Sequence, residues 1–575
     1  TALGMYGLYS NTTGGNNTAV GYQSLNSNTT ADNNTAVGYQ SAYSNQTGGN
    51  ITAFGFQALY SNTASNNTAV GYLAMNNNTS GTDNVGMGTL VMNSNTTGSS
   101  NVAIGRQALQ ANTTASGVTA VGYQALYAST VDYNTAVGHL AGRFTTTGTS
   151  NSFFGQASGY ANTTGSYNTA YGRDSLVSNT TASSNTAVGY QALYTNTTGD
   201  SNAAFGYRAL YSNTTGIVSS AFGVQALYSA TTGGYNSAFG YSSLRYNTTG
   251  QFNTALGMEA LYSNTTASNN TAVGYQAGYS NTTGSLTVLG YQAGYTNSTG
   301  SSLVAIGSQA AYRNSTGTRN VAVGNGAMFN TSTGTDNTAV GGSAGGYAVF
   351  ESNTTGSYNT ALGGGALAQN TTASNNTAVG YQAAYTNTTG SYLTAIGYQA
   401  GKASTTDYNT FVGGNSGLNT TTGGANAALG LATLQANTTG AYNTAIGQSA
   451  LQSNTTASNN TAVGYQAGYS NTTGASNVFV GQGAGYANST GNFIVALGLS
   501  AGAAATAGPN LFVGDYAGYT TTTGTYNTFV GAGNSGGTWS GQYVTTGSKN
   551  TILGGYNGNQ GGLDIRTASN YIVLS

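Results

Sequence analysis

One heptapeptide, Asn17-Thr18-Ala19-Val20-Gly21-Tyr22-Gln23, returns at residues 34–40, 185–191 and 376–382, and at 134–139 with His139 in place of the tyrosine. With its glycine as a marker, the position recurs at Gly4, Gly21, Gly38, Gly55, Gly71, Gly88 and onward to Gly531 and Gly554. There are 33 markers and 32 spacings; 25 spacings are 17 residues and five are 16. The other two are 22 (Gly341 to Gly363) and 23 (Gly531 to Gly554). Such regularity leaves no room for a conventional globular domain. A unit this short cannot bury its own apolar face, so copies must stack and bury it between neighbours. Sites in a coil are numbered below from the marker glycine, so Tyr22 stands at +1 of its coil.

Within a coil, Thr-Ala-Val-Gly-Tyr-Gln-Ala-Leu-Tyr is rich in β-branched and aromatic residues whose alternate positions face opposite sides, as in a strand. The segment Ser-Asn-Thr-Thr-Gly (residues 94–98, 212–216 and 280–284) signals a turn, because Asn caps turns and Gly supplies positive φ. No helical apolar stripe survives the recurrent glycines. The expectation is an all-β, parallel β-solenoid of about 33 coils of 17 residues, each with two short strands and two turns. At about 4.8 Å per coil that is a rod of roughly 160 Å. Residues 1–554 form the continuous shaft, with loop insertions near 345–352 and 534–546, and residues 555–575 a cap or junction.

Stacking places like on like. Site +1 carries Tyr22, Tyr39, Phe56 and Tyr72, and site +5 carries Tyr43, Tyr60, Tyr194 and Tyr211. Both are expected aromatic ladders, with the Asn-Thr turns as amide and hydroxyl ladders. A charged ladder would repel itself, which accounts for charged residues being 4% of this chain against about 25% in an average domain. The net charge of −1, with no basic stripe, excludes nucleic-acid binding. No apolar run is long enough to span a bilayer, so no membrane insertion is expected. With no Cys there are no disulfides or thiolate metal sites. The opening Thr1-Ala2-Leu3-Gly4 reads as a processed product or a segment of a longer chain.

Ala-Val-Gly-Tyr-Gln-Ala (residues 272–277, and with serine last at 19–24 and 36–41) resembles the Ala-Ile-Gly-x-x-Ala signature of trimeric autotransporter adhesin heads. The resemblance implies a left-handed parallel β-roll, three chains to a fibre, though the coil of those heads is shorter. The tandem units as a whole are similar to those of bacteriophage tail-fibre proteins that end in an endosialidase-type intramolecular chaperone. The ending Asp564-Ile565-Arg566-Thr567-Ala568-Ser569-Asn570-Tyr571-Ile572-Val573-Leu574-Ser575 is similar to the segment preceding that chaperone. These resemblances imply an extracellular, homotrimeric structural fibre, the shaft that positions a receptor-binding tip toward a host-surface glycan. The alternative is a cell-surface adhesin or a self-associating filament.

Chemistry has little to work with, and no catalytic residue, cofactor or metal is expected. His139 replaces a ladder tyrosine, and Asp132, its nearest carboxylate in sequence, lies in the preceding turn. Glycoside hydrolysis needs two carboxylates about 5–10 Å apart, whereas the only glutamates, Glu259 and Glu351, stand several coils apart. Asp is too sparse for calcium-binding repeats. Arg319 and Asp336 are one period apart, as an exposed ion pair would be, and Arg245 and Tyr262 are spaced for a cation–π contact. Threonines clustered in turns do not make the flat face that ice binding requires. Asn-x-Ser/Thr sequons at Asn11, Asn28, Asn95, Asn112, Asn162, Asn179, Asn196, Asn213, Asn247, Asn264 and Asn281 are the glycosylation candidates, arrayed along one edge.

Overall fold

The computed structural model describes residues 1–343, 346–531 and 537–575. It comprises two compact units, Thr1–Ser285 and Leu286–Ser575. Each is a parallel β-solenoid, and the coils total about 33, about 17 residues apart. No helix occurs among the described residues.

In the first unit a three-residue strand recurs in each coil after the first, as in Thr18–Val20, Thr35–Val37 and Thr52–Phe54. Neighbours pair parallel and in register: Thr18 with Thr35, Ala19 with Ala36, Val20 with Val37. The second unit repeats the pattern, for example Ala322 with Ala339. Its two long spacings leave the pairing intact, since Val340 pairs with Leu362 and Phe529 with Ile552. Within the expected insertions, Gly345 and residues 534–536 lie outside the described residues. Val349 and Phe350 of the first insertion are buried. In the C-terminal segment, Ile572–Leu574 pairs parallel with Thr551–Leu553, and Asn559–Gln560 with Leu563–Asp564 forms a hairpin.

The expectation of two strands per coil fails. Only the Thr-Ala-Val stretch is a strand, because sites +2 and +4 take left-handed backbone: φ is 55° at Gln23 and 47° at Leu25, 51° and 50° at Gln40 and Ala42. A residue with a Cβ incurs about 1–2 kcal/mol there. The coil-to-coil backbone bonds recover it: Gln23 N–H donates to Met5 O at 2.9 Å, and Leu25 N–H to Ser41 O at 3.0 Å. The ladder therefore continues through the turns. The marker glycine is required for two reasons. At Gly105 φ is 126°, and a Cβ would lie 2.5 Å from the carbonyl oxygen of Gly122 in the next coil.

The core is narrow and half polar. Site −2, the strand centre, is fully buried, as at Ala19, Ala36 and Ala53, and so is site +4, as at Leu25 and Leu59. Two asparagine rows complete it. In one, Asn84 Oδ1 accepts the backbone N–H of Asn101 at 3.0 Å, while Asn84 Nδ2 donates to Gly98 O at 2.9 Å. In the other, Asn95 Nδ2 donates to Asn78 Oδ1 at 2.7 Å and to Gly98 O at 3.0 Å. Amides survive in this interior because their donors and acceptors are met within the stack.

Candidate self-association face

The second asparagine row contains every sequon candidate. Asn28, Asn95, Asn112, Asn162, Asn179, Asn196, Asn213, Asn247, Asn264 and Asn281 are all 0% exposed; only Asn11, in the first coil, is partly accessible. Their Nδ2 atoms are donors in the stack: Asn179 to Asn162 Oδ1 (2.8 Å), Asn213 to Asn196 (2.7 Å), Asn264 to Asn247 (2.8 Å), Asn281 to Asn264 (3.1 Å). The nitrogen that would carry a glycan is the one the row consumes. A sugar at any of these ten buried sites would have to displace the hydrogen bonds of the row. Where the row breaks at Ala230, Asn213 Oδ1 is buried without a donor.

The sequence-flagged polar residues stay apart and serve the stack. His139 stacks on Tyr123 with ring centres 5.2 Å apart, while an Asp132 oxygen accepts the Ser116 N–H at 2.8 Å. Glu259 accepts from Gln276 Nε2 at 2.8 Å in a row of glutamines, and Glu351 accepts the Ala348 N–H at 2.6 Å. Among the described residues, no three His, Cys, Asp or Glu cluster as a metal site would require. Arg319 grips Asp336 through two hydrogen bonds of 2.6 and 2.8 Å, holding that carboxyl below its ordinary range. The Arg245 guanidinium lies 5.8 Å from the Tyr262 ring centre, and its Nη1 donates to the Tyr262 hydroxyl at 3.3 Å. The Tyr262 hydroxyl is pushed up from its usual pKa, first by its hydrogen bond with Tyr246 and then by burial.

The aromatic ladders stand as expected. Ring centres at +1 are 5.4 Å (Tyr22–Tyr39), 5.1 Å (Tyr39–Phe56) and 5.3 Å (Phe56–Tyr72) apart. At +5, Tyr194, Tyr211 and Tyr228 repeat at 5.1 Å. Two further rows escaped the sequence reading: Phe205–Phe222–Phe239 at 4.6 and 4.9 Å, and Tyr235–Phe252 at 5.0 Å. Their signal was present as a constant offset from the marker glycine.

The phenylalanine row belongs to the feature that most needs an explanation. Site −1 ends each coil's strand and points outward. From Leu3 to Leu553 it is always Val, Ile, Leu, Met, Phe or Tyr, without a polar exception. Site −3 shares the same outward face and is mostly Thr or Ser, as at Thr18, Thr35, Ser152 and Ser220. Strand propensity alone would admit Thr equally at both sites; only −1 excludes it. Many of these side chains are bare: Phe54 is 49% exposed, Leu256 49% and Leu429 51%. At roughly 60 Å² of apolar surface per site, seventeen strands of the first unit present on the order of 1,000 Å², more than a monomer ordinarily leaves uncovered and about what one partner contributes to a stable complex. No charged residue stands at −1 or −3 in any coil, so an identical face can approach without repulsion.

No protein-family model matches the chain, and no curated protein is significantly similar to it.

Proposed function

We propose that this protein is a structural, non-enzymatic shaft of an extracellular fibre, in which three copies associate through the outward strand face. The observation that carries the reading is the apolar row at site −1, exposed along both units and free of polar exceptions. An exposed row that admits only apolar side chains is the pattern of a surface covered by another chain. The dispersed carboxylates and the stacked His139 support a mechanical role over a catalytic one. By the resemblance of its repeat, the shaft is that of a phage tail fibre holding a receptor-binding tip away from its particle.

The test is native mass spectrometry of the whole chain beside a variant carrying Phe54→Asp, Phe239→Asp and Leu429→Asp, three sites that do not stack on one another. The parent should be trimeric. The variant should dissociate while keeping its β circular-dichroism spectrum, because these side chains point away from the core. A monomeric parent at micromolar concentration would sink the reading. So would turnover of a polysaccharide that disappears with Glu259→Gln, Glu351→Gln or His139→Gln.

A further inference from the structure

The +5 aromatic row has single-coil gaps, and the chain's own side chains show what such a gap accommodates. Arg143 stands between Tyr127 and Tyr160; its guanidinium lies 5.9 Å from the Tyr127 ring centre, and its Nη1 donates to the Tyr160 hydroxyl at 3.3 Å. Arg245 stands between Tyr228 and Tyr262, 5.9 and 5.8 Å from their ring centres. Val177 occupies the corresponding gap between Tyr160 and Tyr194. In the second unit the residue between Tyr486 and Tyr519 is Ala503, which ends at Cβ. A cavity of about 420 Å³ results, lined by Tyr486, Ala487, Ala503, Ala504, Tyr519 and Thr520. Tyr486 is 39% exposed and Tyr519 40%, whereas Tyr43, Tyr211 and Tyr312 in the same row are half-buried.

We propose that this slot is a binding site for one planar aromatic ring of phenol size, inserted between Tyr486 and Tyr519. Two coil spacings separate these residues by about 9.6 Å, so an inserted ring sits about 4.8 Å from each wall. That is the chain's own stacking distance: Tyr262 and Tyr279 are 4.9 Å apart, Tyr469 and Tyr486 5.2 Å. The lining selects an aryl group over a sugar. The Thr520 hydroxyl already donates to Gln542 O, the Thr522 hydroxyl to Thr545 O and the Thr545 hydroxyl to Arg566 O, so the threonines of the lining offer no spare donor to a ring of hydroxyls. It also disfavours a guanidinium, which would bring several N–H donors to a cavity whose walls carry no charge. Even in the chain's own version, Arg245 Nε is buried without a partner. An aryl face needs none, and a single phenolic hydroxyl can remain at the solvent mouth.

The experiment is a titration of the whole chain with p-cresol, followed by saturation-transfer NMR. One site per chain is expected, with a dissociation constant on the order of millimolar for a ligand this small. Ala503→Tyr places the chain's own ring in the slot and should weaken binding at least tenfold. Tyr519→Ala, which removes one wall, should do the same. If Ala503→Tyr fails to fold, Ala503→Val, which copies the way Val177 fills its own gap, gives the same reading. Binding that persists in the filled variants, or no binding to the parent, overturns the proposal. Tighter binding of argininamide than of p-cresol overturns the aryl assignment. Loss of self-association in Ala503→Tyr without p-cresol binding to the parent would make the slot a chain–chain contact and overturn the ligand site.

Discussion

The coils of residues 170–261 and those of residues 479–541 fill the same interior in opposite ways. In the first stretch, Leu176, Leu193, Leu210, Leu227, Leu244 and Leu261 at site +4 pack beside buried alanines such as Ala187 and Ala204 at −2. In the second, Phe479, Phe512 and Phe529 occupy −2, the +4 sites around them are Gly468, Gly485, Gly502 and Gly518, and Gly541, beyond the insertion, takes the same place in its coil. A Cβ on Gly468 would lie 2.5 Å from the Phe479 ring, and one on Gly502 would lie 2.5 Å from that of Phe512. Elsewhere the exchange goes the other way. Where −2 shrinks to Gly86, the flanking +4 sites are methionines, with Met75 Sδ 3.0 Å and Met92 Cε 3.2 Å from where a Cβ would stand. The volume inside a coil is thus held near constant, while the site that supplies it is free to change. The two solutions differ in strain. Site +4 is left-handed in both, at 51° for Leu193 and 59° for Gly468, but only the leucine incurs the Cβ penalty.

The two kinds of coil differ most at the large side chain. Phe479→Ala should destabilise the second unit by about 3–5 kcal/mol through the cavity it leaves, read by chemical denaturation. Adding Gly468→Leu and Gly485→Leu to that variant converts a phenylalanine coil into a leucine coil. The triple variant should regain the lost packing yet stay about 2–4 kcal/mol below the parent, because each of the two leucines adds about 1–2 kcal/mol of left-handed strain. If it is no more stable than Phe479→Ala, the two coil types are not interchangeable. Gly485→Leu alone, with the ring still present, should cost about 1–3 kcal/mol by overpacking, seen as a lower denaturation midpoint.

Smaller effects test what the two stretches share. Ala230→Asn should stabilise the first unit by about 1 kcal/mol, because it offers a donor to Asn213 Oδ1 and an acceptor to Asn247 Nδ2. No gain in thermal midpoint would show that the row does not act as a continuous chain. The smallest expected effect is that of pH between about 5 and 9, where neither coil type has a titrating core group. The Arg566 guanidinium draws the Asp564 carboxyl down to about 2, and Arg319 lowers Asp336. Contributions of that sign are present above about pH 4 and lost as pH falls through the lowered values. Burial raises the hydroxyls of Tyr211 and Tyr556. Their contribution holds below about pH 10 and is lost as pH rises through the raised values. A denaturation midpoint that shifts appreciably between pH 5 and 9 would refute this balance.

How far the residues were legible follows from what a period can and cannot convey. The spacing of marker glycines states which residues stack, so the parallel register, the tyrosine ladders and the Arg319–Asp336 pair could be read directly. A period does not say which side of the coil wall a residue occupies. Asn28 and its counterparts therefore read as surface sequons, although the turn carries them inward. The Tyr-Gln-Ala-Leu-Tyr half read as a strand, because composition does not reveal left-handed backbone at alternate sites. The apolar constancy of site −1 is present in the sequence, but a period does not state that the site faces outward.

The sequence by itself determined the all-β coil, its parallel register and the stacking of like on like, because repeating near-identical units leaves one consistent way to pair their backbones. The tertiary structure alone decided which asparagines are interior, that each coil has one strand, how Phe and Gly trade volume with Ala and Leu, and where an alanine opens the aromatic row. These depend on packing between residues in adjacent coils and across the coil wall, where volume, direction and hydrogen-bond partners are set jointly by side chains that a linear repeat records separately.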